Sequence, residues 1–312
     1  MEFPNETNFE FRFTGLAENP TQVSILFLFF LLVYLITTMG NSGMVTLVCT
    51  NSRFHSPMYF FLGYLSMVDL CYSSVITPKM LVDLVSNVKS ISFKGCVVQF
   101  FFYVGLVVTE SLLLSCMSYD RYVAICHPLH YTLIMTKKKC LQIILIVSGV
   151  GFLQSTVLTA CIFSLRFCQR NQIDHFYCDV FPVMKLSCSE TFSCQFLSIS
   201  LASFSGLFSM VSVLVSYSLI VFTILWMNCA VSRRKAFSTC SSHLTCWTAL
   251  FIYIRPKSSG FGKQDRIVAV FYTVVIPMLN PLIYSLRNQE VKKAIYKSMT
   301  NRYTTRTFAK YH

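Results

Sequence analysis

Few side chains in this chain can do chemistry, and most of those stand among apolar neighbours. Residues 117–126 read MSYDRYVAIC, where Asp120 and Arg121 close a long apolar run and open a basic loop. Ionisable groups at such a place mark ion paths, proton relays or switches by default. Asp69 and Glu110 are two further carboxylates, each inside its own apolar run. At similar depth they cannot both stay ionised without a counter-ion. The pair predicts either a held proton or a hard cation bridging their oxygens. Other chemistries are missing from the sequence: no nucleophile stands beside a base, no loop cradles phosphate and no cysteine spacing fits zinc. The expectation is a protein that is not an enzyme.

The elements that must position these groups follow from composition. The 312 residues are 54% hydrophobic and 12% charged, with a mean hydropathy of +0.57. A soluble domain carries about twice that charged fraction. A spanning helix needs roughly 20 mainly apolar residues, and seven runs qualify, at 23–49, 57–84, 97–125, 140–163, 196–227, 236–254 and 267–286. Lipid cannot satisfy backbone polar groups, so the spans are predicted as helices. The fold class is an all-α, seven-transmembrane helix bundle. It divides into an extracellular amino terminus (1–22), a seven-transmembrane domain (23–286) and a cytoplasmic tail (287–312). The first apolar run starts late, behind an acidic, polar stretch, which predicts no secretory leader.

Charge sets the orientation. With the amino terminus outside, the triplets at 137–139 and 233–235 and the basic tail all face inward. The net charge of +13 is then a topology signal and a contact with anionic membrane lipids. A nucleic-acid partner would need a basic soluble surface, which is not predicted. Asn5-Glu6-Thr7 is a glycosylation acceptor that fits an outside amino terminus. Cys96, Cys168, Cys178 and Cys188 fall on the outer side, where disulfides persist, and four cysteines allow three pairings. Cys49, Cys71, Cys116 and Cys246 lie in spans as small apolar fillers. Val291, Ala294, Ile295 and Met299 make the start of the tail a short amphipathic helix for the inner membrane surface.

The third span carries a stripe. Tyr103 and Arg121 are 18 residues apart, five turns and about 27 Å, and Glu110 lies within roughly 20° of the same line. An aromatic ring, a mid-membrane carboxylate and an arginine thus share one face.

Ordered strings along nearly the whole chain carry a resemblance. They are Gly40-Asn41, FHSPMYFFL at 54–62, LSMVDL at 65–70, PKML at 78–81, MSYDRYVAIC with HPLHY at 117–131, HFYCD at 175–179, Ser216-Tyr217, KAFSTCSSHL at 235–244 and PMLNPLIYSLRN at 277–288. In this order and spacing the chain resembles an olfactory (odorant) receptor of the rhodopsin-like G-protein-coupled family. The resemblance implies a multi-pass plasma-membrane receptor. A small volatile odorant would bind in the outer bundle, and a stimulatory, olfactory-type G protein would raise cyclic AMP inside.

The resemblance also assigns roles. Asp120, Arg121 and Tyr122 form the switch, with Tyr217 and Tyr284 as hydroxyl partners and the sixth helix pivoting near Lys235 to His243. His243, among serines and threonines, can reach toward Arg121. At Asp69 and Glu110 it favours a sodium ion over the proton, with Asn41 and Asn280 as polar partners. The ligand set is Tyr103, Val104, Val107, Val108 and Ser111 of span three, Leu201, Ala202 and Ser205 of span five, Phe251 and Tyr253 of span six, and Val270 and Thr273 of span seven. That apolar lining with a few hydroxyls suits a small, neutral, mostly hydrophobic molecule. Cys96 would pair with Cys178, and Cys168 with Cys188. His175, Cys178 and Asp179 recur as a metal motif in such receptors, but a disulfide at Cys178 leaves no thiolate to ligate.

One stretch departs from the pattern. His243 to Pro256 is shorter than in the family by about five residues, equivalent to a rotation of about 140° and a loss of about 7.5 Å of helix. Two other readings therefore stand beside the receptor: a product that does not signal because the sixth span is short, and a channel or transporter using Asp69 and Glu110.

Overall fold

The computed structural model describes residues 9–16, 19–51, 54, 56–168, 171–226, 266 and 269–287, with the side chains of 282–287 excepted. The predicted sixth span and cytoplasmic tail lie outside the described residues. So do Asn5, Lys235, His243, Phe251, Tyr253 and the Tyr284 side chain.

The described chain runs β1 (Glu10–Phe13), α1 (Pro20–Thr50), α2 (Pro57–Val85), β2 (Ser90–Ser92), α3 (Phe93–Cys126), α4 (Tyr131–Ile134), α5 (Lys137–Phe163), β3 (Gln172–Ile173), α6 (Val180–Met184) and α7 (Phe192–Leu225). A π-helical turn at Phe271–Val275 then leads into α8 (Ile276–Arg287). Five of these helices, α1, α2, α3, α5 and α7, are long and apolar enough to cross a membrane. Each carries large exposed apolar side chains, such as Leu28, Phe60, Phe102, Leu153 and Phe204. In water that would be an aggregation liability; against lipid it is the expected outer surface.

Several helices start earlier than their apolar runs, because polar caps extend them. The Ser92 side chain accepts from Gly95 N and Thr136 from Lys139 N, opening α3 and α5 one turn before their runs begin. Asn19 caps α1 in the same way, with Pro20 in its first turn. The lysines 137–139 are therefore the first turn of α5 and not a loop.

Helix α3 is the hub, packed against α2, α5 and α7, while α1 packs on α2 and α8. The α3–α5 seam is built from small residues. A Cβ on Gly151 would meet Gly105 O at 2.8 Å, and Ser155 donates to Phe101 O at 2.5 Å. Such close backbone approach is how helices pack where no hydrophobic force separates lipid from protein.

A small sheet closes one end and was not expected from an all-α reading. β1 pairs antiparallel with β2 and parallel with β3. Glu10 and Arg12 are exposed while Phe11 and Phe13 are buried, the alternation of a half-buried strand. The same end holds three disulfides. Cys96–Cys178 (Cα–Cα 5.7 Å) and Cys168–Cys188 (6.0 Å) match the pairs the resemblance implies. The third, Cys161–Cys194 (5.9 Å), joins α5 to α7. The reading of span cysteines as fillers passed over Cys161, because it stands within the last turn of the helix at the sheet end.

Candidate functional site

The centre of the bundle is a polar cluster held by α1, α2, α3, the π-helical turn and α8. Asp69 on α2 and Glu110 on α3 are 0% and 1% exposed and lie close enough to interact electrostatically. Asn280 of α8 donates to Asp69 Oδ2 at 3.0 Å and also bonds Glu110. Tyr272, in the π-helical turn, directs its hydroxyl at Glu110 Oε2 at 3.5 Å. Asn41 of α1 donates to Thr37 O and Pro277 O, both at 3.0 Å. Sequence reasoning brought Asp69, Glu110, Asn41 and Asn280 together but missed Tyr272.

The donor set fits a small hard cation. Asp69 Oδ1 and Asn41 Oδ1 are buried acceptors without a hydrogen-bond partner among the described residues. A buried acceptor left in that state costs about 1–3 kcal/mol, and a cation or a proton relieves it. Among the described residues no three His, Cys, Asp or Glu side chains cluster. A cation here would thus rest on two carboxylates and neutral oxygens, a donor set for hard ions and not for zinc or copper.

The second feature is the end of α3 away from the sheet. Asp120 is fully buried. Its Oδ2 faces the Arg121 guanidinium at 3.4 Å, and its Oδ1 accepts from Tyr131 of α4 at 2.9 Å. Burial first, then the neighbouring Asp120 carboxylate, pushes the Tyr131 hydroxyl above its ordinary pKa, so it stays a donor. Tyr122 pairs with His127 Nε2 at 3.2 Å. Tyr217 of α7 is buried with Val213, Ile220 and Ile224, against Tyr122, Ile125 and Cys126. Tyr131 was not singled out from the sequence, although it ends the HPLHY string.

The third feature is aromatic and lies between the carboxylates and the sheet. Tyr103 is buried, stacked on Tyr72 with ring centroids 6.0 Å apart and met edge-on by Tyr177 at 5.0 Å. Ser111 donates to Ser209 of α7 at 3.0 Å. Val104 is buried, and Val107, Val108, Leu201 and Val270 are partly buried against the core. Ser205 and Thr273 are buried but turn their hydroxyls onto their own helices, at Leu201 O and Ala269 O. Ala202 is a correction to the expected ligand set. It lies on the exposed side of α7, off the buried stripe that runs through Ser198, Ser205, Ser209 and Val213. His175 is buried against the rings of Phe176 and Tyr177. Cys178 is in its disulfide and Asp179 caps Val180 N.

A bundle of membrane-length helices around buried carboxylates, with a charged pair and packed tyrosines at one end, belongs to the class of multi-pass membrane receptors. An olfactory receptor family profile matches residues 30–302. The chain is similar to Olfactory receptor 5G25 of Mus musculus, 50% identical over 299 residues covering 94% of each chain. It is also similar to Olfactory receptor 8A1 of Homo sapiens, 47% identical over 295 residues covering 93% of this chain and 90% of the other. To Olfactory receptor 5F1 of Homo sapiens it is 47% identical over 301 residues, covering 95% and 96%. The chain belongs to the olfactory receptor family. It is a seven-transmembrane odorant receptor of the plasma membrane, and its family acts by signalling and not by catalysis.

Proposed function

We propose that the amino terminus lies outside, and that a small, mostly hydrophobic odorant binds between the sheet and the carboxylate pair. Binding activates a stimulatory, olfactory-type G protein at the Asp120–Arg121 end and raises cyclic AMP. The observation that carries this reading is the Asp120 arrangement. A buried carboxylate shared between Arg121 and Tyr131 of α4 is an interaction that can exist in one state and be given up in another. Ligand shifts that equilibrium by binding one state better. In this reading Tyr217, whose cluster packs against Tyr122, meets Arg121 once the ion pair opens. Tyr103, Val104, Val107, Val108, Ser111 and Leu201 carry the ligand contact, with Phe251 and Tyr253 of the sixth span completing it.

In the same reading Asp69, Glu110, Asn41 and Asn280 hold a sodium ion that favours the resting state; the two orphaned oxygens support this over a fully ionised pair without a partner. The ion would supply charge neutralisation. Asn280 orients Asp69, and Tyr272 orients Glu110.

The test is cyclic-AMP output in cells given the chain and the olfactory stimulatory G protein, across a broad odorant panel. A concentration-dependent response is expected. Full surface expression with no response to any panel member would favour the non-signalling product.

A further inference from the structure

Tyr272 links two features that the reading above treats separately. Four buried tyrosines form a continuous path from the loop after β3 to the carboxylate pair. Tyr177, beside the Cys178 disulfide, donates to the Tyr103 hydroxyl at 3.3 Å. Tyr103 stacks on Tyr72, and Tyr72 meets the ring of Tyr272 with centroids 5.9 Å apart. The Tyr272 hydroxyl then reaches Glu110 Oε2 at 3.5 Å. No ring in the path is more than 4% exposed, so none can shift without its neighbour answering. The last contact sits at the outer limit of hydrogen-bond geometry, where a sub-ångström movement makes or breaks it.

The backbone beneath Tyr272 is the π-helical turn Phe271–Val275. On a regular α-helix, Tyr272 and Asn280, eight residues apart, would point about 80° apart. A π-turn accommodates one extra residue, so the spacing acts as seven and the two side chains fall within about 20° of each other. That register lets one helix hold Glu110 through Tyr272 and Asp69 through Asn280. Converting the turn to α geometry swings Tyr272 by about 100° relative to Asn280. It would leave Glu110 and the Tyr72 ring while Asn280 kept Asp69. The two registers are discrete packings and not a graded motion.

We propose that the π-turn is a two-state coupler, and that Tyr272 is the positioning residue which transmits the state of the Tyr103–Tyr177 cluster to the Asp69–Glu110 pair. In one state the turn is π and Tyr272 braces Glu110. In the other the turn is α and Glu110 loses the Tyr272 hydroxyl while keeping Asn280. The inference deepens the ligand and sodium readings above and rests on them for what arrives at each end.

The experiment places 3-fluorotyrosine at position 272 of the full chain in lipid nanodiscs and reads it by fluorine magnetic resonance. Two environments are expected. Their ratio, or their averaged position if exchange is fast, changes with Tyr177→Phe and Tyr103→Leu, through the Tyr72 ring that meets both Tyr103 and Tyr272. The expected change in ratio is threefold or more. The same label at Tyr64, which is bonded to Ser148 across the α2–α5 contact, stays unmoved. If Tyr103→Leu fails to fold, Tyr103→Phe replaces it, since it keeps the stacked ring. Exchanging sodium for choline should change the ratio as well. A signal that follows the tyrosine substitutions but ignores that exchange keeps the coupler and removes the sodium reading. A signal at 272 that ignores the tyrosine substitutions overturns the coupler.

Discussion

Replacing Tyr131 by phenylalanine keeps the ring and removes the 2.9 Å hydrogen bond to Asp120 Oδ1. Asp120 is fully buried, and its other oxygen then has the Arg121 guanidinium at 3.4 Å as its close partner. A hydrogen bond to a charged group contributes about 1.5–3 kcal/mol. Tyr131 is itself half-buried, so water replaces part of that, and the lower end applies. About 1.4 kcal/mol is tenfold in an equilibrium. If the contact belongs to the resting arrangement, Tyr131→Phe raises the active population by up to about tenfold. The assay is basal cyclic AMP divided by surface receptor, with Asp120→Asn and the double variant alongside. The double variant should not exceed Asp120→Asn by much, because that variant already weakens the Tyr131 contact along with the Arg121 pair. The Tyr131 side of the contact should not titrate at or below about pH 9. The Tyr131 pKa lies above its ordinary value of about 10, so the donor is present throughout and is lost only above that raised value. Unchanged basal output at equal surface expression would refute the assignment of Tyr131 to the resting state.

Other expectations follow from packing and covalent ties. Gly151→Val should lower the surface level or thermal stability, because its Cβ meets the backbone of α3 and overpacking costs about 1–3 kcal/mol. Gly149→Val, with nothing near its Cβ, should be neutral, and equal losses in the two would contradict the α3–α5 seam. Cys161→Ser and Cys194→Ser should each free one maleimide-reactive thiol in the denatured protein, while the double variant frees none. The lost cross-link, spanning 33 residues, should cost up to about 4 kcal/mol, and no new thiol in either single variant would deny the pairing. Arg266→Ala should change little. Its 3.7 Å contact with the half-exposed Asp174 is a surface pair contributing about 0–1 kcal/mol. A loss of response beyond tenfold would show that it does more.

The sequence made the long helices legible because lipid demands about 20 apolar residues in a row. Their ends were less so, since Ser92 and Thr136 cap through single side chains outside the apolar windows. The carboxylate cluster was legible because Asp69 and Glu110 stand out where charge costs most. Tyr272 was not. Its place depends on a π-turn that adds a residue to the helical count, and α-helical spacing turns it away from Asn280. β1 left a trace in the alternation of Glu10, Phe11, Arg12 and Phe13, but four residues are too few to separate a strand from chance. Cys161 was hidden by position, since the end of a span looks like its interior until the helix boundary at Phe163 is known.

The central claim is that the Asp120–Arg121 end turns an odorant-dependent rearrangement into G-protein activation. The most direct test is guanine-nucleotide exchange on the purified olfactory stimulatory G protein, driven by the full chain in nanodiscs, with and without an odorant active in the cellular panel. Exchange should rise with odorant in the wild type. It should stay at background in Arg121→Ala, while odorant binding is retained. Odorant-stimulated exchange by Arg121→Ala at the wild-type rate would contradict the account.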